Sequence, residues 1–172
     1  MSTPPPGPRG ADIIAGIKAA GVEFVAALPD IVTSDGLLWP LSRDPDLRLV
    51  RLCKEDEGVS ICAGLSYCDR RAILLMQQTG LMDSLNAVRA IALDYRLPVC
   101  MVVGLQGKEP HLPSRESASL GVRAVEPILD ALGLTHHVIE GPGDEQVLPE
   151  AIDRAYRTST PVCFLVGRSP TA

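Results

Sequence analysis

Four charged residues in succession, Lys54-Glu55-Asp56-Glu57, stand between two apolar segments of this 172-residue sequence. The preceding segment, LRLVRLC (47–53), alternates in polarity and is rich in β-forming residues, so it predicts a strand. The following segment, EGVSICAGLSYC (57–68), predicts a helix whose small residues allow close packing. A carboxyl group placed at the end of a strand can hold or transfer a proton beside a bound ligand. Glu55 and Glu57 are therefore the candidate catalytic residues.

A second segment with candidate ligand-binding residues is GLQGKEPHLPSRESASLG (104–121), which has little periodicity and contains two prolines. Loops longer than about 12–15 residues in compact domains are usually functional or disordered. Lys108, His111 and Arg115 lie in this segment and could contact an anion. The segment therefore predicts a mobile lid over an anionic ligand, with a solvated loop as the alternative.

Strand and helix patterns alternate along the rest of the chain. Continuous apolar runs such as RAILLMQQ (71–78) predict strands that are buried on both faces. Buried strands joined by helices predict a three-layer α/β fold, a six-stranded and mostly parallel sheet with helices on both faces. The predicted strands are 22–28, 47–53, 71–78, 97–104, 135–140 and 160–167.

Ligands bind such sheets at the carboxyl ends of the strands. The segments expected there are 29–36, 54–57, 77–83 and 104–120. The length suits one domain, which we place at residues 10–169. Residues 1–9, MSTPPPGPR, predict a disordered tail because prolines favour an extended, solvated chain.

Composition and charge argue against several classes of function. Hydrophobic residues make up 46% of the chain, which indicates a folded protein, and the net charge of −5 argues against nucleic-acid binding. No apolar run approaches the roughly 20 residues that span a bilayer, so no membrane association is predicted. The N-terminus lacks an apolar signal segment, and we expect a cytoplasmic protein.

The cysteines do not have the spacing of a metal or disulfide framework. The five cysteines include no C-x-x-C pair, and Cys62, Cys100 and Cys163 stand among apolar neighbours. Buried, reduced thiols are the expected state, and no metal ligand is predicted in this chain. Sequence motifs for dinucleotides, P-loop nucleotides and serine hydrolysis are also absent.

The acidic cluster and the segments after it resemble the pyrimidine-binding domain of thiamine-diphosphate decarboxylases. The likeness is to the alpha subunit of sulfopyruvate decarboxylase and the matching half of phosphonopyruvate decarboxylase. These proteins have an E-E-E-G-V-type turn, an L-M-Q-x-S-G-L-G-N-type loop and an early V-P-D or V-P-C turn. KEDEGV, LMQQTGLMD and the turn LPDIVTSDGL stand in those places here, and the likeness spans residues 11–168.

The resemblance implies a role for one of the two glutamates. In that family a glutamate at the end of the second strand hydrogen-bonds N1′ of the aminopyrimidine ring, so that the exocyclic nitrogen can act as a base. The family spacing to the following helix glycine fits Glu55 and Gly64 without a gap, so Glu55 is favoured. Glu57 suits the positive end of a helix dipole and needs no other purpose there.

The same resemblance implies the remaining site residues. Cofactor contacts are expected from Glu55, Gln78, Thr79, Gly80 and Asn86. Substrate contacts are expected from Pro29, Asp30, Lys108, His111 and Arg115.

The sequence departs from the family pattern at three places. Met82 and Asp83 stand where relatives have glycine and asparagine, and Ser117 stands where they often have histidine or glutamine. These departures bear on the substrate that the resemblance implies. They also favour the alternative that the chain is a catalytically silent binding or regulatory domain.

The resemblance further implies a partner. Thiamine-diphosphate enzymes hold the diphosphate through Mg²⁺ on a domain with a G-D-G…N-N signature, which this sequence lacks. A beta subunit is expected to carry that domain, in a homo- and hetero-oligomer with the cofactor at the subunit interface. The expected substrate is a small 2-oxo acid with a second anionic group, such as sulfopyruvate or phosphonopyruvate. A carboligase subunit is the other enzymatic alternative.

Overall fold

Six parallel strands form the sheet of this protein, in the order β2-β1-β3-β4-β6-β5, in a computed structural model that describes residues 6–171. Every strand pair is parallel, whereas the sequence predicted a mostly parallel sheet. All six strands lie inside the ranges predicted from the sequence. The strands are β1 (Phe24–Ala27), β2 (Arg48–Arg51), β3 (Ala72–Gln77), β4 (Cys100–Gly104), β5 (Thr135–Ile139) and β6 (Val162–Val166).

Eight α-helical segments precede or connect the strands within residues 6–171. The helical segment after β3 begins at Gln78 and is interrupted at Ser84. Helix α2 continues a π-helical turn over Ser34–Leu38, and α5 continues into another over Val88–Asp94. The helices are α1 (Gly10–Ala19), α2 (Trp39–Leu41), α3 (Glu55–Tyr67), α4 (Gln78–Asp83), α5 (Leu85–Ala87), α6 (Leu120–Arg123), α7 (Val125–Ala131) and α8 (Leu148–Thr158). Among the described residues, no helix is both long and apolar enough to cross a membrane.

The central strands are buried on both faces, and successive residues enter two different cores. In β3, Ile73 and Leu75 join the core beneath α1, α2 and α8, whereas Leu74 and Met76 join the core beneath α3, α4 and α7. Because side chains alternate along a strand, covering both faces requires a continuous apolar run. This requirement explains why continuous apolar runs in the sequence predicted the buried strands correctly.

Three of the cysteines are part of these cores. Cys62, Cys100 and Cys163 are buried, whereas Cys53 and Cys68 are exposed, and all five are free thiols. Burial raises the pKa of Cys62 to about 12 and raises the pKa of Cys100 and Cys163 further. The three buried thiols therefore stay protonated at neutral pH, as expected for groups that serve only in packing.

The two ends of the described chain pair with each other. The amide of Thr171 donates to the carbonyl of Pro8 (2.9 Å), and the amide of Gly10 donates to the carbonyl of Thr171 (2.8 Å). Pro8 is buried, so the ordered structure includes residues that the sequence assigned to the tail, and it extends beyond the predicted end at 169. Residues 1–5 of the predicted tail lie outside the described part.

Glycine is required where these ends meet the body of the protein. A Cβ atom on Gly10 would overlap the backbone carbonyl of Gly36, and one on Gly36 would overlap that of Pro170. By contrast, a Cβ on Gly64 in α3 would have no atom within 4 Å. The backbone therefore approaches itself closely at Gly10 and Gly36.

We expect Gly10→Ala to lower the free energy of unfolding by about 1–3 kcal/mol, because a backbone carbonyl cannot move aside as a side chain can. Gly64→Ala is the matched control and should raise stability by about 0.5–1 kcal/mol, since alanine favours the helical backbone. Urea denaturation of both variants measures the difference. Equal stability of the two would show that the chain ends are not tightly packed.

Candidate functional site

Glu55 lies against Gly80 at the carboxyl edge of the sheet. The backbone of Lys54 is extended, and Glu55 opens helix α3 four residues after β2 ends. A Cβ on Gly80 would overlap the carboxyl group of Glu55, so the missing side chain of Gly80 leaves the room that this carboxyl occupies. Glu55 is half-buried, and among the described residues its side chain has no hydrogen-bond or ion-pair partner. It is a carboxylate held in a defined place without an internal partner.

Glu57 has the structural role that the helix dipole suggested. Its carboxylate accepts hydrogen bonds from the amides of Cys53 (3.0 Å) and Lys54 (3.3 Å), which precede the helix. A side chain in the first turn that reaches back to these amides caps the helix. Glu57 thereby fixes the start of α3, and with it the position of Glu55.

The predicted cofactor-binding residues after β3 differ in burial and in their hydrogen-bond partners. The buried amide of Gln78 accepts from the amide of Gln106 (2.8 Å) and donates to its carbonyl (2.9 Å). Gln78 thereby ties the end of β3 to the segment after β4, and its contact with the cofactor stays a prediction. Thr79 is exposed and its hydroxyl accepts from Gln77 (2.9 Å), while Asn86 is exposed and accepts from the Arg89 guanidinium (3.0 Å).

Asp30, a predicted substrate-binding residue, is occupied by the turn that contains it. Its carboxylate accepts from the amides of Val32 (2.6 Å) and Thr33 (2.7 Å) and from the Thr33 hydroxyl. Short-range bonds of this kind are the usual role of aspartate in turns. Asp30 therefore has a structural role in this turn, and its contact with the substrate stays a prediction. Pro29 is exposed beside it and stays a prediction.

Lys108 is also fully engaged. Its buried ammonium group contacts the carboxylate of Glu140 (2.7 Å) and donates to the carbonyls of Glu109 (3.2 Å) and Leu112 (2.7 Å). These partners use the three donors of a lysine. A buried charge needs such pairing, so the primary role of Lys108 is to hold the segment after β4 to the turn after β5. Its predicted contact with the substrate stays a prediction.

Arg115 is held over helix α7. Its guanidinium contacts Glu126 (3.1 Å) and Asp130 (2.7 Å), and the bond from Arg115 lowers the pKa of Asp130. Arg115 is therefore engaged in surface ion pairs, and its predicted contact with the substrate stays a prediction. His111 is exposed and stays a prediction.

The segment predicted as a mobile lid has several internal anchors. The carboxylate of Glu109 accepts from the hydroxyl of Ser117 (2.7 Å) and the amide of Ala118 (3.0 Å). The bond from Ser117 is the largest cause of a lowered pKa at Glu109. Ser117 is buried, so its role in this chain is to close the loop. These bonds leave no periodic pattern in the sequence because they join residues within an irregular segment.

A cavity of about 330 Å³ lies between the ends of β1, β4 and β6. Arg168, which directly follows the last strand region, lines it together with Lys108, and the arginine donates to the carbonyl of Pro110 (2.7 Å). Arg168 was not among the predicted site residues, although it lies just beyond a predicted strand, where ligands meet parallel sheets. Within residues 6–171, no group of three or more His, Cys, Asp or Glu side chains is arranged to hold a metal ion.

Comparison with solved structures identifies the class of fold. The chain is similar to a Mycobacterium smegmatis protein assigned to the thiamin diphosphate-dependent enzymes, with 94% of this chain covered, 16% identity and a TM-score of 0.61. It is also similar to 2-oxoglutarate:ferredoxin oxidoreductase of Magnetococcus marinus, with 91% covered, 17% identity and a TM-score of 0.62. The chain spans 31% and 28% of those two proteins. It has the three-layer α/β fold found in thiamine-diphosphate-dependent enzymes.

Sequence comparison gives more specific relatives. The chain is 28% identical over 158 residues to sulfopyruvate decarboxylase subunit alpha of Methanothermobacter thermautotrophicus, covering 91% of this chain and 94% of that one. It is 23% identical to the subunit of the same name from Methanocaldococcus jannaschii, with 87% of each chain covered. No protein-family model matches the chain. The resemblance to sulfopyruvate decarboxylase alpha subunits that the motifs indicated is confirmed.

We expect the two glutamates to differ in what they do for stability. Glu57→Ala should lower the free energy of unfolding by about 1 kcal/mol, because two amides before the helix lose their acceptor. Glu55→Ala should change it by less than about 0.5 kcal/mol, since this carboxylate has no internal partner. Thermal or urea unfolding of the two variants tests the assignment. A larger loss for Glu55→Ala would mean that Glu55 is the structural residue.

Proposed function

We propose that this chain is the pyrimidine-binding alpha subunit of a two-subunit, thiamine-diphosphate-dependent 2-oxo acid decarboxylase. The observation that carries the proposal is the carboxyl group of Glu55, placed against Gly80 and without an internal partner. The names of the relatives favour sulfopyruvate as the substrate. Phosphonopyruvate, which also bears a second anionic group, is the next candidate.

The residues at this edge fit the aminopyrimidine end of the cofactor. A ring nitrogen needs a partner that can share a proton with it, and a carboxyl group is suited to this. When bound, thiamine diphosphate supplies the electron sink for the carbon that loses CO₂. Glu55 would hold the ring at N1′, and the glycine at position 80 keeps the place of its carboxyl free of a side chain.

Glu55 would act by holding a proton between its carboxyl oxygen and N1′. Half-burial limits competition from water, so one hydrogen bond here is stronger than at the open surface. The first turn of α3 keeps the carboxyl in place because Glu57 fixes the start of the helix. The chain thus supplies orientation and proton control at one atom.

The diphosphate and Mg²⁺ are assigned to a beta subunit in this proposal. The chain lacks the G-D-G…N-N signature of that half. A relative from Methanosarcina acetivorans, named sulfopyruvate decarboxylase, is 28% identical to 88% of this chain, yet the match covers only 38% of that protein. The rest of that relative has room for a second domain. We therefore place the cofactor at an interface between this chain and its partner, in a hetero-oligomer that also contains more than one copy of this chain.

The catalytically silent alternative rests on Met82 and Asp83. Met82 packs against the core beneath α4, and Asp83 is exposed. Packing Met82 into the core leaves the Glu55 carboxyl in its place against Gly80, so the departures are compatible with an active site. A carboligase would use the same glutamate and would be distinguished by its product.

We expect Glu55→Gln to lower kcat for decarboxylation about 10²- to 10⁴-fold in the complex with the partner, because an amide cannot share the proton in the same way. Glu57→Gln is the matched control and should stay within a few-fold of the wild type. The assay follows CO₂ release from sulfopyruvate by the chain copurified with a G-D-G…N-N protein of the same organism. Normal turnover by Glu55→Gln would refute the assignment, and turnover without any partner would refute the two-subunit proposal.

Gly80→Ala tests the same site without changing its charge. The added methyl group would displace the Glu55 carboxyl, which is the movable end of a flexible side chain. We expect kcat to fall at least about tenfold while the unfolding temperature is kept, since alanine is a good helix residue. Gly64→Ala serves as the control for an added methyl group in the neighbouring helix. Full activity of Gly80→Ala would show that the placement of Glu55 does not matter.

A further inference from the structure

The side chain of Gln78 extends the contact between β3 and β4 beyond the ends of these strands. The last backbone pair of the two strands joins Gln77 and Gly104. At Gln78 the chain turns into helix α4, and the side-chain amide of this residue bonds to both backbone groups of Gln106. It accepts from the Gln106 amide (2.8 Å) and donates to the Gln106 carbonyl (2.9 Å). Gln78 is 3% exposed, so water competes little for these two bonds, which together form an amide clamp.

We propose that Gln78 is a positioning residue for the decarboxylation, because its amide clamp sets the place of the Glu55 carboxyl. The inference rests on the proposed function, which gives that carboxyl a proton to share. Gly80 lies two residues after Gln78 in the first turn of α4, and a Cβ on Gly80 would overlap the Glu55 carboxyl. A shift of this turn therefore moves the surface against which the carboxyl lies.

Helix α4 depends on contacts with the rest of the protein for its position. It is six residues long, and isolated helices shorter than about 12–15 residues are marginally stable. Its start has no side-chain cap, and the bond from Gln77 to the exposed Thr79 hydroxyl (2.9 Å) stays within the turn. Leu81 packs into the core, but apolar burial is non-directional. The two directional bonds of Gln78 therefore fix the orientation of the first turn.

The segment that receives these bonds is itself fixed on both sides of Gln106. The amide of Leu105 donates to the carbonyl of Val166 (2.9 Å), the last residue of β6. The buried ammonium group of Lys108 contacts the Glu140 carboxylate (2.7 Å). Gln106 is therefore a firm reference point, and the amide clamp holds α4 relative to it. A misplacement of about 1 Å that originates far from the reacting atoms can cost an enzyme about 10²-fold in rate.

A side-chain amide can make both bonds of the clamp at neutral pH, whereas a carboxylate cannot. The amide offers an acceptor and a donor in one plane, and an ionised carboxylate only accepts. A protonated carboxyl group again offers one acceptor and one donor. Gln78→Glu therefore keeps both bonds only while the new carboxyl group is protonated, and Gln78→Met keeps neither bond at any pH.

We expect Gln78→Met to lower kcat about 10- to 100-fold in the complex with the partner, at saturating thiamine diphosphate. Gln78→Glu should lose as much at about pH 8, where an ionised carboxylate repels the Gln106 carbonyl. Its kcat relative to the wild type should rise at least about fivefold toward about pH 5.5, since burial favours the protonated carboxyl group. Gln146→Met, at an exposed glutamine before α8, is the matched control and should keep kcat within a few-fold.

Unfolding temperatures show which variants are folded under the conditions of the assay. If Gln78→Met is not folded, the pH dependence of Gln78→Glu decides the test, because that variant recovers both bonds in acid. A kcat ratio to the wild type that stays constant with pH would overturn the inference.

A double-mutant cycle tests whether Gln78 acts through Glu55. If it does, Gln78→Met should lower kcat about 10- to 100-fold in the wild-type background but less than about threefold in the Glu55→Gln background, since the group that it positions is already lost. A contact of Gln78 with the cofactor that is independent of Glu55 would instead make the two losses multiply. That result would overturn the inference, as would an unchanged kcat in Gln78→Met.

Hydrogen exchange of the full chain, followed by NMR, measures the amide clamp without any activity. The Gln106 amide should exchange at least about tenfold faster in Gln78→Met than in the wild type, and Gln146→Met should leave it unchanged. An equally protected Gln106 amide in folded Gln78→Met would overturn the inference. An inactive Glu55→Gln beside a normal Gln78→Met would refute the positioning role and keep the proposed function. Normal turnover by Glu55→Gln would refute the proposed function, and the positioning role with it.

Discussion

A parallel sheet covered by helices on both faces exposes polar groups mainly where its strands begin and end. In this protein the central strands contribute to one core on each side, so a charged residue within them would be buried without a partner. All strands of a parallel sheet end on the same side, which brings segments distant in the sequence together. For this reason Glu55, Gly80, Lys108 and Arg168 all lie beyond the carboxyl ends of the strands.

The bonds within that edge decide which of its charged residues can meet a ligand. Asp30 and Glu57 bind backbone amides of their own turns, and Lys108 binds Glu140. Glu55 has no such partner among the described residues. Buried or half-buried polar groups normally have a hydrogen-bond partner. A carboxylate without one, such as Glu55, is therefore a better indicator of a site than residue type alone.

The carboxyl groups of two glutamates each occupy the space left by the missing side chain of a glycine, but they differ in their partners. Glu55 lies in the space of an absent side chain at Gly80, and Glu140 does so at Gly167. Lys108 pairs with Glu140, and this pair supports the neighbouring cavity wall, whereas the carboxyl of Glu55 has no partner among the described residues. The similarity to alpha subunits of sulfopyruvate decarboxylase covers both positions.

The sequence by itself determined the strands and the layer arrangement, because these depend on local periodicity and apolar runs. Motif spacing made Glu55 the favoured candidate for the cofactor contact. From residue type and position, Asp30, Gln78, Lys108 and Arg115 were predicted to contact ligands. Only the tertiary structure decided which bonds these side chains make within the protein. Whether a charged or amide side chain meets a ligand depends on its bonds to residues far away in the chain, as when Gln78 binds Gln106 and Lys108 binds Glu140. Residue type and spacing do not predict such pairings, because the pairs form only when the parallel sheet brings the strand ends together.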